Sequence, residues 1–267
     1  MPPPSNEPVI LCERLRAAYG ETVVLEDVSF TVGRSETLAV VGASGCGKST
    51  LLRCMIGLLL PASGRMRILG RWMDEMERAD LDEMRREIGV AFQGSALLNS
   101  LTVGENVALP LREHTRLDAA TIQIMTRIKL ESVGLGGAED LLPSQLSGGM
   151  RKRAGIARAL AMDPKVLFLD EPSAGLDPIT SAGLDDLLVK LRTGLGLTVL
   201  LVTHELDSIR QVADRVLMLD RGRVRLLGTL EDVASSRDER VRQFFDRRSD
   251  GEQDAAASAR MVEKLTR

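Results

Sequence analysis

Cysteine is scarce and unevenly spaced: Cys12, Cys46 and Cys54 are an odd number and form no C-x-x-C pair. That pattern argues against a disulfide framework and against a cysteine-based zinc site, and a reducing compartment is the expected setting. Neither sign of charge dominates, since 35 Lys+Arg stand against 38 Asp+Glu for a net charge of -3. Such a balance offers no general attraction to nucleic acid, so no nucleic-acid partner is expected, although a local basic patch stays open. No stretch reaches the ~20 apolar residues of a spanning helix. The longest apolar runs, near Val40 and Val199, are strand-length. An action at a membrane therefore requires another chain to cross it. The N-terminus has no basic segment followed by an apolar core, so it does not read as a signal peptide; residues 1–8 read as a loose leader. What is present is a 44% hydrophobic chain of 267 residues, enough to bury the core of one large α/β domain or two small ones.

The organising stretch is 42–49, Gly-Ala-Ser-Gly-Cys-Gly-Lys-Ser, which fits the phosphate-binding pattern G-x-x-x-x-G-K-[ST]. Residues 37–41 before it read as a buried strand and residues 50–56 after it as a helix, the order such a loop needs. Gly42, Gly45 and Gly47 free the backbone to turn its N–H groups onto an anion, and the helix start adds its positive end. Lys48 supplies a mobile charge for the outer phosphates. The Ser49 hydroxyl is placed to ligate Mg²⁺, an ion that keeps water and phosphate among its ligands.

Along the chain, residues 9–32 suggest short strands about a turn at Tyr19-Gly20, and the only tyrosine, Tyr19, reads on its own as a turn-packing aromatic. Residues 61–64 form a turn, 65–70 a strand, 80–87 a solvated helix, and 88–92 a core strand that delivers Gln93 at its end, where open α/β sheets place ligand contacts. Residues 95–111 are too apolar for a surface loop and imply an interface or a satellite core. Ile122, Met125, Ile128 and Leu130 mark one packing stripe of an amphipathic helix. The basic cluster Arg151, Lys152, Arg153 taken alone reads as a solvated helix face, and His114 as a solvated residue of a charged loop.

Three further strand or helix ends carry chemistry. Ser147 is placed as an N-cap, with Gly148 and Gly149 exposing N–H groups at a second anion-binding helix start. The strand 166–169 ends in Asp170-Glu171, adjacent acids that need cations or water to engage them. Beside a P-loop, Asp170 is assigned the Mg²⁺ shell and Glu171 the attacking water. Residues 173–178 turn into a helix that runs to about 191, and the strand 198–202 delivers His204. A closing hairpin spans 216–227. Past Arg237 the composition turns charged, Phe244-Phe245 stands isolated, and a last helix is suggested over 255–265.

These pieces in this order, over about 9–230, resemble the ATP-binding cassette (ABC) ATPases; Leu-Ser-Gly-Gly at 146–149, between the P-loop and the Asp-Glu strand, discriminates most. The resemblance implies an α/β P-loop NTPase with a RecA-like core, an N-terminal antiparallel β subdomain and an inserted α-helical subdomain at about 95–160. The ATPase domain would span 9–236 and a charged tail 237–267. It implies ATP and Mg²⁺ as cofactors and makes Tyr19 the adenine-stacking aromatic. Gly42, Ser44, Gly45, Cys46, Gly47, Lys48, Ser49 and Thr50 become the Walker A loop. Gln93 becomes the Q-loop glutamine near Mg²⁺ and the lytic water, and Ser147, Gly148 and Gly149 the signature. Asp170 becomes the Walker B aspartate, Glu171 the catalytic base, Asp177 the D-loop residue and His204 the switch histidine. In this family two copies meet head to tail, each ATP lying between one copy's P-loop and the other's signature, so a homodimer is implied. Met150 departs from the polar residue many members carry there.

Residues 93–103 and 170–182 look like the cassettes of Mce-type lipid transporters, including the maintenance-of-lipid-asymmetry and toluene-tolerance group. That resemblance implies an integral membrane permease, an Mce-type substrate-binding protein, a small accessory subunit, a phospholipid or other hydrophobic cargo, and a peripheral place on the cytoplasmic face of the bacterial inner membrane. A tail reaching the other copy would suit that group and give Phe244 and Phe245 a site. Two alternatives compete: a soluble ABC ATPase acting on ribosomes or nucleic acid, disfavoured because neither a second cassette nor a long coiled-coil insertion is visible, and an ABC subunit for another cargo. A small-molecule kinase is weakened further, since no acceptor-binding segment is evident.

Overall fold

The computed structural model describes residues 7–246. In chain order, β1 (Ile10–Tyr19) and β2 (Thr22–Val32) form a hairpin, β3 (Thr37–Val41) leads through the glycine loop into α1 (Lys48–Met55), and β4 (Ser63–Ile68), β5 (Arg71–Trp72), α2 (Arg78–Arg86) and β6 (Ile88–Ala91) follow. Then come α3 (Val103–His114), α4 (Ala119–Ser132), α5 (Gly148–Ala159), β7 (Val166–Asp170), α6 (Pro178–Leu195), β8 (Thr198–Val202), α7 (Leu206–Val212), β9 (Arg215–Asp220), β10 (Arg223–Thr229), α8 (Leu230–Ser235) and α9 (Glu239–Phe245).

Two sheets arise from this order: a four-stranded antiparallel one, β2-β1-β4-β5, and a six-stranded one, β10-β9-β3-β8-β7-β6. In the larger sheet β6, β7, β8, β3 and β9 pair in parallel, and β10 closes the edge antiparallel to β9. The expected hairpin at 216–227 therefore exists, but its first strand belongs to the parallel sheet. Every residue of β3 and of β8 is buried, because a parallel sheet is covered on both faces. Period-two alternation divides the cover: Leu38, Val40, Phe168, Leu200 and Val202 face the antiparallel sheet and α1. Leu167, Leu169, Val199 and Leu201 face α5 and α6.

Helix boundaries follow the local chemistry. Thr102 and Glu105 make a reciprocal capping box at the start of α3, with Glu105 N–H donating to Thr102 Oγ1 at 3.2 Å and Thr102 N–H to Glu105 Oε2 at 2.8 Å. Asp177 caps α6, Pro178 occupies its first turn, and Gly196 ends it at φ 65°. The apolar stretch 95–111 resolves as satellite core, since Val103, Val107, Ala108 and Leu111 of α3 are buried. Two expectations fail here. Ile128 lies outside the α4 packing stripe, 54% exposed, while Ile122 and Leu130 are buried. His114 ends α3 and does not sit in a loop.

Beyond residue 236 the chain keeps folding. Asp238 caps α9 and Val241 is fully buried, and Phe244 and Phe245 pack on the molecule's own cluster of Ala39, Val41, Leu206, Ile209 and Met218. Both rings remain partly buried on that cluster. A seven-residue helix with one buried anchor had no periodic signal strong enough to be read. The helix suggested over 255–265 and residues 1–6 of the leader lie outside the described residues.

Candidate nucleotide site

The loop after β3 must pass close to the backbone of Leu219. A Cβ on Gly42, at φ +143°, would lie 2.2 Å from Leu219 O and 2.7 Å from Cys46 Sγ, so only glycine fits. Cys46 itself is tucked beneath the loop, and burial pushes its thiol pKa up. Lys48 Nζ curls over the loop and donates to Gly42 O at 2.7 Å and Ala43 O at 3.1 Å.

Parallel strands point their C-terminal ends at this loop. The resulting cleft, about 560 Å³, is lined by Gly42, Ser44, Gly45, Gly47, Lys48, Ser49 and Thr50 together with Gln93, Asp170, Glu171 and His204. Residues from four separate strand ends therefore converge, as the sequence predicted. His204 Nδ1 lies 2.9 Å from Glu171 Oε1. The other oxygen, Oε2, is buried with no protein partner among the described residues. A polar atom in that state needs a ligand or water to satisfy it. Glu171 also adopts φ +48°, a left-handed conformation uncommon outside glycine. Burial, then the neighbouring Glu171 charge, raises the Asp170 pKa, against the pull of Lys48. A divalent cation between these acids and a phosphate would reverse that penalty, so the donor set fits Mg²⁺.

Three assigned groups stand apart from the cleft. Ser147, Gly148 and Gly149 are not among its lining residues. Ser147 caps α5, its Oγ accepting from Met150 N–H at 3.2 Å. Asp177 Oδ1 accepts from Ile179 and Thr180 N–H at 3.1 and 3.0 Å, and the Thr180 hydroxyl and backbone bonds hold its carboxyl below the usual range. These two caps abut: a Cβ on Gly149 would lie 2.5 Å from Thr180 Cγ2, which is why glycine stands there. Tyr19 is the third case. It is 43% exposed, its hydroxyl accepts from Arg53 Nη1 at 3.0 Å, and it does not line the cleft.

The basic cluster is a clear correction. Arg151 donates to Leu146 O at 2.6 Å, and Arg153 to Val133 O and Gly183 O, both at 3.0 Å. Lys152 bonds Gln93 O, and Glu171 O at 3.2 Å. All three side chains donate to backbone carbonyls, Lys152 and Arg153 to two each, so none serves only as a solvated face.

The ABC transporter family profile matches residues 25–174. The chain belongs to the ABC transporter ATPase family. The cassette is 43% identical over 221 residues to the methionine import ATP-binding protein MetN of Brucella abortus (strain 2308), covering 83% of this chain and 60% of that protein. It is 40% identical over 237 residues to the probable ribonucleotide transport ATP-binding protein mkl of Mycobacterium tuberculosis (strain ATCC 25618 / H37Rv), covering 89% and 66%. The chain thus spans less than two thirds of these relatives' length. Among solved structures it is similar to the dimeric ADP- and Pi-bound cassette MJ0796, with TM-score 0.76 and 31% identity over 83% of this chain and 98% of that one. It is also similar to cbiO1 of Clostridium perfringens, with TM-score 0.80 and 31% identity over 91% and 96%.

Two residues named in the sequence reading were not placed at the cleft by it. Phe244 lines the cleft from α9, and Lys152 braces two strand ends from α5. The only local signal was compositional: an aromatic pair in a charged segment, and a lysine within a basic cluster.

Proposed function

We propose that this cassette hydrolyses ATP as the energy-supplying subunit of a membrane transporter, acting as a pair of copies on a separate permease. The carrying observation is Glu171: its one free carboxylate oxygen is buried at a cleft that also holds the P-loop, Asp170, Gln93 and His204. In this reading Lys48 and the loop N–H groups bind the outer phosphates. Ser49 and Asp170 hold Mg²⁺, with Gln93 beside it, and the ion neutralises charge as the terminal phosphoryl leaves. Glu171 takes the proton of the attacking water, and His204 orients the Glu171 carboxylate. Ser147 and the Gly148 and Gly149 N–H groups, which do not line their own cleft, would close on the nucleotide held by the other copy. The dimeric state of MJ0796 supports that pairing.

Among the described residues no helix is long and apolar enough to cross a membrane. A groove of about 400 Å³ between α2, β6 and the ends of α3 and α5 is lined by Arg85, Arg86, His114 and Arg158, with Asp82 the acid among them. Its charge suits an acidic permease segment. Arg158 donates to Ser95 O and Ala96 O at 3.0 and 2.7 Å, tying the groove to the loop that carries Gln93.

For cargo, the segments 93–103 and 170–182 favour a phospholipid or related hydrophobic molecule, an Mce-type partner with a small accessory subunit, and a place at the inner membrane. The names of the relatives, methionine import and ribonucleotide transport, favour a second reading, a small polar cargo. Purifying the detergent-solubilised complex through a tag on this chain decides between them. An Mce-domain chain in the complex supports the lipid reading; a solute-binding protein in its place removes it. For the chemistry, Glu171→Gln is expected to keep ATP binding and pairing while lowering hydrolysis roughly 10²–10⁴-fold, measured by phosphate release. Wild-type turnover in that variant removes Glu171 from the mechanism.

A further inference from the structure

Lys152 sits on the second turn of α5, the helix whose first turn presents Ser147, Gly148 and Gly149. Its ammonium does not reach solvent alone. It donates to Gln93 O and, at 3.2 Å, to Glu171 O. Those carbonyls lie just past the ends of β6 and β7, which pair side by side up to Ala91 and Leu169. Past a strand end a carbonyl has lost its ladder partner, and a cation between two such groups fixes both. Glu171 is also the residue held at φ +48°. Its N–H donates to Val202 O at 2.8 Å, and its carbonyl accepts from Ala174 N–H at 3.2 Å as well as from Lys152. The turn that aims the Glu171 carboxylate into the cleft is therefore clamped on three sides, and Lys152 is the only clamp delivered by another helix.

We propose that Lys152 is a positioning residue for hydrolysis: it pins the backbone of Gln93 and Glu171 so that both side chains keep their places in the cleft. Because it rides on the helix that carries the signature motif, a tilt of α5 moves both strand-end residues together. The pinning acts on geometry and leaves nucleotide binding to the P-loop. The inference rests on Glu171 and Gln93 acting in hydrolysis, a reading that Glu171→Gln tests independently.

The experiment compares Lys152→Met and Lys152→Arg in the full-length chain, purified within its membrane complex. Phosphate release gives kcat and KM, a fluorescent ATP analogue gives Kd, and thermal melting reports folding. Lys152→Met should lower kcat about tenfold or more, with KM and Kd within about twofold of wild type. Lys152→Arg, whose fork can span two carbonyls, should recover most of kcat. Unchanged kcat in Lys152→Met overturns the proposal while Glu171→Gln remains inactive. Should Lys152→Met fail to fold, Lys152→Gln takes its place with the same expectations. Loss of Kd and thermal midpoint together with kcat in both variants makes the lysine a structural strut and likewise overturns it.

Discussion

Among the described residues, Glu171 and Asp185 each keep one buried carboxylate oxygen without a protein partner, yet their surroundings differ. Glu171 lines the cleft that holds the P-loop, where a polar ligand or water has access to it. Asp185 is on α6, 2% exposed, and its other oxygen accepts from Ser208 Oγ of α7 at 2.7 Å; nothing in the cleft can reach it. Burial raises the Asp185 pKa despite the Ser208 bond, and the nearby Asp186 adds to the rise. The folded chain thus binds this proton more tightly than the unfolded one. The stability it contributes is fully present below the unfolded pKa of about 3.9 and is lost as pH rises through the higher folded value. Asp185→Asn removes the charge while keeping an acceptor for Ser208. It is expected to raise stability at neutral pH by ~1 kcal/mol, a gain of ~2–4 °C in thermal midpoint. Melting curves recorded from pH 8 down to pH 4 should show that gain shrinking as the wild-type side chain protonates. A gain that grows toward acid pH would refute this account of Asp185.

Two helices illustrate how much an element's neighbours decide. The start of α5 was legible because Ser-Gly-Gly is a capping signature in its own right. What its second turn does was not, since Arg151, Lys152 and Arg153 reach carbonyls up to tens of residues away and charge patterning carries no record of those partners. α9 poses the converse case. Its composition reads as solvated, yet Val241 is fully buried, and the Arg225–Asp238 ion pair at 2.7 Å fastens its start. That contact holds the carboxyl of Asp238 below its usual range. Placing a charge at the anchor should undock the helix. Val241→Asp is expected to cost about 3 kcal/mol, because the carboxylate would be buried without a partner. The measurement is a lower thermal midpoint with a new protease-sensitive site near Asp238. An unchanged proteolytic pattern would mean that α9 does not depend on Val241.

Taken as a whole, the two helix starts assigned to phosphate from the sequence do not meet. α1 begins at the cleft, while α5 begins beside Leu176 and Thr180 of the α6 start. A single copy cannot bring them together without dismantling the core between β7 and α5, and in the proposed reading rotation symmetry between two copies completes the site. Mixing chains tests this. A Lys48→Ala chain loses phosphate binding and a Ser147→Arg chain blocks the signature, so each should be inactive alone. Co-expressed in equal amounts they should recover roughly a quarter of wild-type hydrolysis, because half the pairs are mixed and each mixed pair keeps one intact site. Recovery no greater than either chain alone would argue against a shared site.

Motifs whose chemistry is contained in a few consecutive residues were readable before any coordinates: the glycine loop, the Asp170-Glu171 pair at the end of an apolar strand, the caps at Ser147 and Asp177. Their convergence could also be anticipated, since parallel strands present their C-terminal ends on one edge. Distance relations had no such signature. That Tyr19 lies off the cleft, that Phe244 lines it, that Lys152 spans Gln93 and Glu171, and that Ile128 is bare were settled by packing between segments far apart in the chain. Local propensity and periodicity record what a residue prefers among its sequence neighbours, whereas these four positions were fixed by partners that folding alone brought within reach.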